Sequence, residues 1–141
     1  MIWIGIDPGV HTGLAVWDSK KQEFMELNTY MIHQAMQRIM DWELMAEAAD
    51  TTIQVVFEDA RQRKGHYDEK YINAKAQGAG SVKRDSTIWD DFLTDMGIPF
   101  QAVPPGKGKT KYSSDYFKTI TGWKGRTSNH ARDAAILVIG R

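Results

Sequence analysis

The sequence predicts an α/β fold: one domain over residues 1–141, a five-stranded mixed sheet flanked by helices on both faces. Three observations lead there. Short apolar, β-branched runs recur along the chain, segments with 3.6-residue periodicity alternate with them, and the resulting order is βββαβα(long)βαα. A chain of 141 residues is also the size of one ordinary domain and can bury a core without staples.

The elements follow in order. Ile2 to Ile6 is an apolar run that ends at Asp7, and Pro8-Gly9 is a turn signal, so the chain opens on a buried strand. Gly13 to Trp17 and Glu23 to Tyr30 read as two further strands around a turn at Asp18 to Lys21, giving an antiparallel meander. From Ile32 to Ala49 the period changes to that of a helix, with Ile32, Met36 and Ile39 or Met40 along one face. Thr51 to Asp59 is a fourth strand that again finishes on carboxylates. A polar loop at Arg61 to His66 leads to a long helical region, Asp68 to about Met96, whose continuity Gly78 and Gly80 put in question. Phe100 to Val103 is a short fifth strand, Ser113 or Ser114 can cap a short helix, and Asn129 to Ile139 forms the last one.

Composition narrows the class. Hydrophobic residues at 42% and charged ones at 26% match globular averages and exclude disorder or a fibrous chain. The absence of cysteine excludes disulfides and thiolate metal sites. No secretory leader pattern is seen and no run of about 18 apolar residues occurs, so a soluble, cytoplasmic protein without membrane contact is expected. Net charge is zero, but the halves differ: residues 1–60 carry 3 basic against 10 acidic residues, and residues 61–141 carry 15 against 8. The basic charge gathers at Arg61 to Arg84 and Lys107 to Arg126, either as two solvated faces or as a footprint for phosphate.

Three carboxylates stand at the ends of apolar segments: Asp7 after strand one, Glu58 after strand four, and Asp133 in the first turns of the final helix. A carboxylate so placed needs a donor or a cation. Hard divalent cations take such oxygens, and two ions about 3.5–4 Å apart support phosphodiester hydrolysis. Taken singly each has a plainer reading: an Asx turn for Asp7, pairing of Glu58 or Asp59 with Arg61, a helix-dipole contact for Asp133. His130 lies three residues before Asp133, on the same helix face. It could bind metal, move a proton, or cap the helix start.

Gly5-Ile6-Asp7-Pro8-Gly9 with Thr12-Gly13-Leu14-Ala15 resembles the first motif of RuvC-type Holliday-junction resolvases. Val56-Phe57-Glu58 is similar to that family's second acidic strand, Gly78-Ala79-Gly80 to its Gly/Ala-rich helix, Val103-Pro104-Pro105 with Lys107 or Lys109 to its Pro-and-Lys loop, and His130 to Ala135 to its acidic C-terminal helix. The resemblance spans nearly the whole chain. It implies a ribonuclease H-like fold, a homodimer, and an endonuclease using two Mg²⁺ or Mn²⁺ ions to nick Holliday junctions and other branched DNA, leaving 5′-phosphate and 3′-hydroxyl ends. Its implied metal and catalytic residues are Asp7, Glu58, His130 and Asp133. His130 stands where many members carry a fourth carboxylate, and the chain is short, like bacteriophage versions.

DNA contacts are expected from Arg61, Arg63 and Lys64, which follow the Glu58 strand, and from Lys107, Lys109 and Lys111. Tyr67, one helical turn before Tyr71, is by analogy with related resolvases the aromatic that opens the crossover. The long helix, with Ala74, Gly78 and Val82 as a small-residue stripe, is the expected dimer interface. Three rivals remain in view. An actin-like kinase needs two such domains, and the Lys107 loop lacks the Walker spacing, so no nucleotide cofactor is expected. A nuclease acting on RNA or nonbranched DNA, and a branched-DNA binding module without nuclease activity, stay open.

Overall fold

The computed structural model describes residues 1–63, 72–106 and 111–141, the side chains of residues 72–77 and 79 excepted. Five strands, β1 (Ile2–Asp7), β2 (His11–Asp18), β3 (Glu23–Met31), β4 (Ile53–Glu58) and β5 (Phe100–Val103), form one sheet in the order β3-β2-β1-β4-β5. The β1–β2 and β2–β3 pairs are antiparallel, β1–β4 and β4–β5 parallel, so the sheet is mixed as expected. The helices are α1 (Ile32–Ala48), α2 (Ile72–Asp95), α3 (Ser114–Thr121) and α4 (Asn129–Ile136), with a short 3₁₀ turn at Ala60–Gln62.

Strand alternation divides the core into two layers. Ile4, Ile6, Leu14, Val16, Val55 and Phe57 pack with Ala35 and Ile39 of α1 and with Trp89 and Leu93 of α2. Ala15, Trp17, Leu27 and Val56 face the other way, onto Phe117 of α3 and Ala134, Ala135 and Val138 at and beyond the end of α4. Burying side chains such as Phe57 and Leu93 completely contributes about 1.5–3 kcal/mol each. The central strands β1 and β4 have apolar residues covered on both faces, which is why they read as continuous apolar runs.

Several boundaries shift. The strand expected over Gly13 to Trp17 is longer, because pairing with β1 and β3 recruits His11, Thr12 and Asp18. Asp59 lies just beyond β4 and caps the 3₁₀ turn. The long helix runs unbroken through Gly78 and Gly80, and residues 68–71, expected at its start, lie outside the described residues. The last helix ends at Ile136, with Leu137 as its cap residue. Ser113, rather than Ser114, caps α3, its hydroxyl accepting from the Tyr116 N–H at 3.2 Å.

Candidate functional site

β1 and β4 are parallel neighbours with Ile6 opposite Phe57, so Asp7 and Glu58 emerge side by side at their carboxyl ends. Alternation turns both toward the α4 face, because Ile6 and Phe57 belong to the opposite layer. In open α/β sheets this is where ligands bind, outside the carboxyl ends of strands and beside a reversal of connection.

The final helix reaches this point through two glycines. A Cβ added at Gly5 would lie 2.1 Å from the Ala134 carbonyl oxygen, and one at Gly13 would lie 1.9 Å from that of His130. Neither space admits a side chain, so α4 rests directly on the backbone of β1 and β2. The Ser128 hydroxyl caps α4 through the Ala131 N–H at 3.0 Å and also meets the Thr29 hydroxyl of β3. With the helix held there, His130 Nδ1 stands 3.0 Å from Asp7 Oδ2. An ionised carboxylate only accepts, so Nδ1 carries the proton in that contact and the neutral ring's lone pair is on Nε2.

The electrostatics bring the other two carboxylates into the same field. The Asp7 carboxyl is pushed up from 3.8 to about 6, chiefly by burial. The hydrogen bond with His130 pulls it back, the charge of Asp133 raises it, the His130 charge lowers it, and Glu58 raises it further. Acidic oxygens and one imidazole suit a hard divalent cation in donor type, and a cation would relieve the repulsion that burdens Asp7. As the side chains stand, no three His, Asp or Glu among the described residues form a ready-made ligand shell.

Among solved structures, the RuvC structure of Thermus thermophilus superposes with a TM-score of 0.54 over 99% of this chain and 92% of that one, at 18% identity. The fold is RuvC-like. At that identity the likeness is one of architecture, and it makes the sheet a ribonuclease H-like one, as the motifs led us to expect. Neither a protein-family model nor a curated protein matches the sequence.

On this RuvC-like frame the expected contact residues fall into different surroundings. Arg61 is engaged: its Nε meets Asp59 Oδ1 at 2.8 Å, and its Nη2 meets Asp59 Oδ2 at 3.0 Å and Asp90 Oδ2 at 2.6 Å. That is a strut between the end of β4 and α2, the plainer pairing considered for it. Burial opposes the charge on Asp59, yet hydrogen bonds from the Arg61 side chain and backbone and from Gln62 hold its carboxyl below the ordinary range. Arg63 and Lys111 are exposed. Lys64, Tyr67, Tyr71, Lys107 and Lys109 lie outside the described residues. His11 and His33 are exposed, and His66 lies outside the described residues.

Sequence reasoning missed Arg132. It is buried at 7% exposure, and its guanidinium donates to the carbonyls of Tyr112 and Thr127, the Thr127 hydroxyl and Asn129 Oδ1. The sequence carried little signal for it: Ala131 and Asp133 flank it and polar Ser128 and Asn129 lie one turn before it, and only in the fold does the buried cation find its acceptors.

Proposed function

We propose that the chain is a divalent-metal-dependent endonuclease that hydrolyses phosphodiester bonds in Holliday junctions and other branched DNA, leaving 5′-phosphate and 3′-hydroxyl ends. The contact between Asp7 and His130, in the field of Glu58 and Asp133 at the carboxyl ends of β1 and β4, is the observation that carries this reading. The RuvC-like fold supports it.

In this reading Asp7, Glu58, Asp133 and His130 would hold Mg²⁺ or Mn²⁺, which when bound would activate a water and stabilise the leaving oxygen. Asp7 does two things. Its carboxylate offers oxygen ligands at a buried point, and its Oδ2 fixes the orientation and tautomer of His130. The lone pair on Nε2 then serves as a ligand or accepts a proton at the reacting phosphate. Glu58 contributes from the adjacent strand and Asp133 from the same helix face as His130. Arg63 and Lys111 are exposed cations for the phosphate backbone, and Lys64, Lys107 and Lys109 extend that set in sequence, with Tyr67 as the stacking aromatic.

Paired nicks across a two-fold junction need two sites, so the active unit is a homodimer. Val82 of the α2 stripe is exposed and open to a partner. Among the described residues no helix is long and apolar enough to cross a membrane, and we place the protein in the cytoplasm. No nucleotide cofactor is required.

The test compares cutting of a four-way junction, a matched duplex and an RNA–DNA hybrid, in Mg²⁺ and in EDTA. Mg²⁺-dependent nicking of the junction, lost in Asp7→Asn, is the expected result. Preferential cutting of the hybrid or duplex would shift the substrate to RNA or nonbranched DNA. Tight junction binding with no cutting in Mg²⁺ would leave a branched-DNA binding module, and an Asp7→Asn protein that nicks at the wild-type rate would sink the proposed site.

A further inference from the structure

We infer that Arg132 is a positioning residue for the candidate site, holding the first turn of α4 at the angle that seats His130 on Asp7. Two segments meet at its guanidinium, the chain just before α3 and the start of α4. Nε donates to the Tyr112 carbonyl at 2.9 Å, just before α3; Nη1 donates to the Thr127 carbonyl and hydroxyl, both at 2.7 Å, just before the Ser128 cap; and Nη2 donates to Asn129 Oδ1, on the first residue of α4. All four acceptors are uncharged.

Such a site is costly to build. A buried cation served only by neutral acceptors stabilises less than an apolar side chain of equal size, so its contribution here is geometric specificity rather than net stability. A planar fork of donors fixes direction as well as distance, which a lysine ammonium cannot do. What is fixed is the chain just before α3 relative to the first turn of α4. Gly5 and Gly13 set how closely α4 approaches the sheet, but a helix resting on glycines can still rotate about its axis. Rotation would swing His130, whose side chain is half exposed and touches Asp7 through one 3.0 Å contact. The tie from Nε to the Tyr112 carbonyl joins the turn that carries residue 130 to the chain before α3 and opposes that rotation, while the bonds to residues 127 and 129 fix the plane of the guanidinium.

Arg132 itself is turned away from the reacting atoms, so its effect passes through His130. Misplacement of a reacting group by about 1 Å costs on the order of 100-fold in rate, which sets the scale expected. The inference rests on the nuclease reading for its rate measurements only.

The experiment uses Arg132→Lys and, as a milder change at an exposed position, Asn129→Ala. Imidazole ¹⁵N spectra of His130, taken in EDTA at mildly alkaline pH, report the tautomer without any activity. The wild type should show the Nδ1–H form dictated by Asp7, and both variants should show a mixture with the Nε2–H form. In single-turnover junction cleavage, Arg132→Lys should lose about tenfold or more in rate, with junction affinity in EDTA within about threefold of wild type. Placed in a His130→Ala background, the same change should cost less than about twofold, because the residue through which it acts is gone. An unchanged tautomer in both variants, or an equal rate loss with and without His130, would overturn the inference. Should Arg132→Lys fail to fold, Asn129→Ala decides by the same two readouts. Should the wild type cut nothing, the nuclease reading fails, and the tautomer still decides the role of Arg132.

Discussion

Replacing Asp7 by Asn should make the protein more stable in EDTA at neutral pH, and the size of the gain follows from the site. Burial is the main reason the Asp7 carboxyl sits at about 6 instead of 3.8, with Asp133 and Glu58 adding to it and His130 offsetting part. At about 1.4 kcal/mol per factor of ten in proton affinity, that gap amounts to about 3 kcal/mol of unfavourable free energy for keeping Asp7 charged in the folded chain. Between about pH 4 and pH 6 the folded chain binds more protons than the unfolded one. Wild-type stability therefore falls as pH rises through that window and levels off above it. Asn carries no charge and can still accept from His130 through Oδ1, so the variant escapes the penalty. Urea unfolding in EDTA should give a variant more stable by up to about 3 kcal/mol above about pH 7, with the difference vanishing below about pH 4. Adding Mg²⁺ should nearly cancel that difference at 100 times its Kd, where binding stabilises the wild type by about 2.7 kcal/mol, and reverse the order at 1,000 times, where the gain is about 4.1 kcal/mol. Equal stability of the two proteins in EDTA at neutral pH would refute the reasoning, because the burial and repulsion that make Asp7 costly to ionise would be absent.

Other expected outcomes bear on neighbouring features. Gly13→Ala drives a methyl into the His130 carbonyl, so it should cost about 1–3 kcal/mol in denaturant unfolding and weaken the Asp7–His130 contact, visible as a changed His130 tautomer. Arg61→Ala leaves the buried Asp59 without its guanidinium and should cost about 1–3 kcal/mol, whereas adding Asp59→Asn should recover much of that loss; no recovery would argue against the strut. Glu26 is opposed by burial, but hydrogen bonds from Arg38, Tyr30 and Trp42 hold its carboxyl below the ordinary 4.5. Its stabilisation is therefore full above about that pH and lost as pH falls below it, so Glu26→Gln should cost about 2 kcal/mol near neutrality and progressively less in acid, as followed by thermal unfolding at a series of pH values. Light scattering at micromolar concentration should report a dimer of about 32 kDa, twice the 16.0 kDa chain, and a strict monomer with junction bound would count against paired cutting.

The strands and helices were legible because each writes its period locally: Ile2 to Ile6 as an apolar run, and α1 as a 3.6-residue period, although the face read from Ile32, Met36 and Ile39 or Met40 is most deeply buried at Ala35, Ile39 and Ala46. Asp7 and Glu58 stood out for the same reason, as polar residues closing buried strands. What the sequence could not sort was Glu58 from Asp59. Strand alternation sends Glu58 to the α4 face, while one residue later Asp59 turns back to cap the 3₁₀ turn and hold Arg61. The pairing of Arg61 with Asp90 spans 29 residues, and the approach of Gly13 to His130 spans more than a hundred, so neither leaves a local pattern to read. Arg132 was counted only as charge, since its acceptors are carbonyls and side-chain oxygens that any sequence could supply.

The contact between Asp7 and His130 joins positions 123 residues apart. It is therefore a late event in the life of each chain. During synthesis β1, β2 and β3 can pair as a local meander, and α1 can cover one face of it, while the opposite face waits for α4. Until residues 128–136 have left the ribosome and docked on the two glycines, Asp7 has neither its imidazole nor Asp133 beside it. On the proposed reading, a nascent chain has no cutting activity at any point before its core is closed, so the step that completes the fold also arms the enzyme.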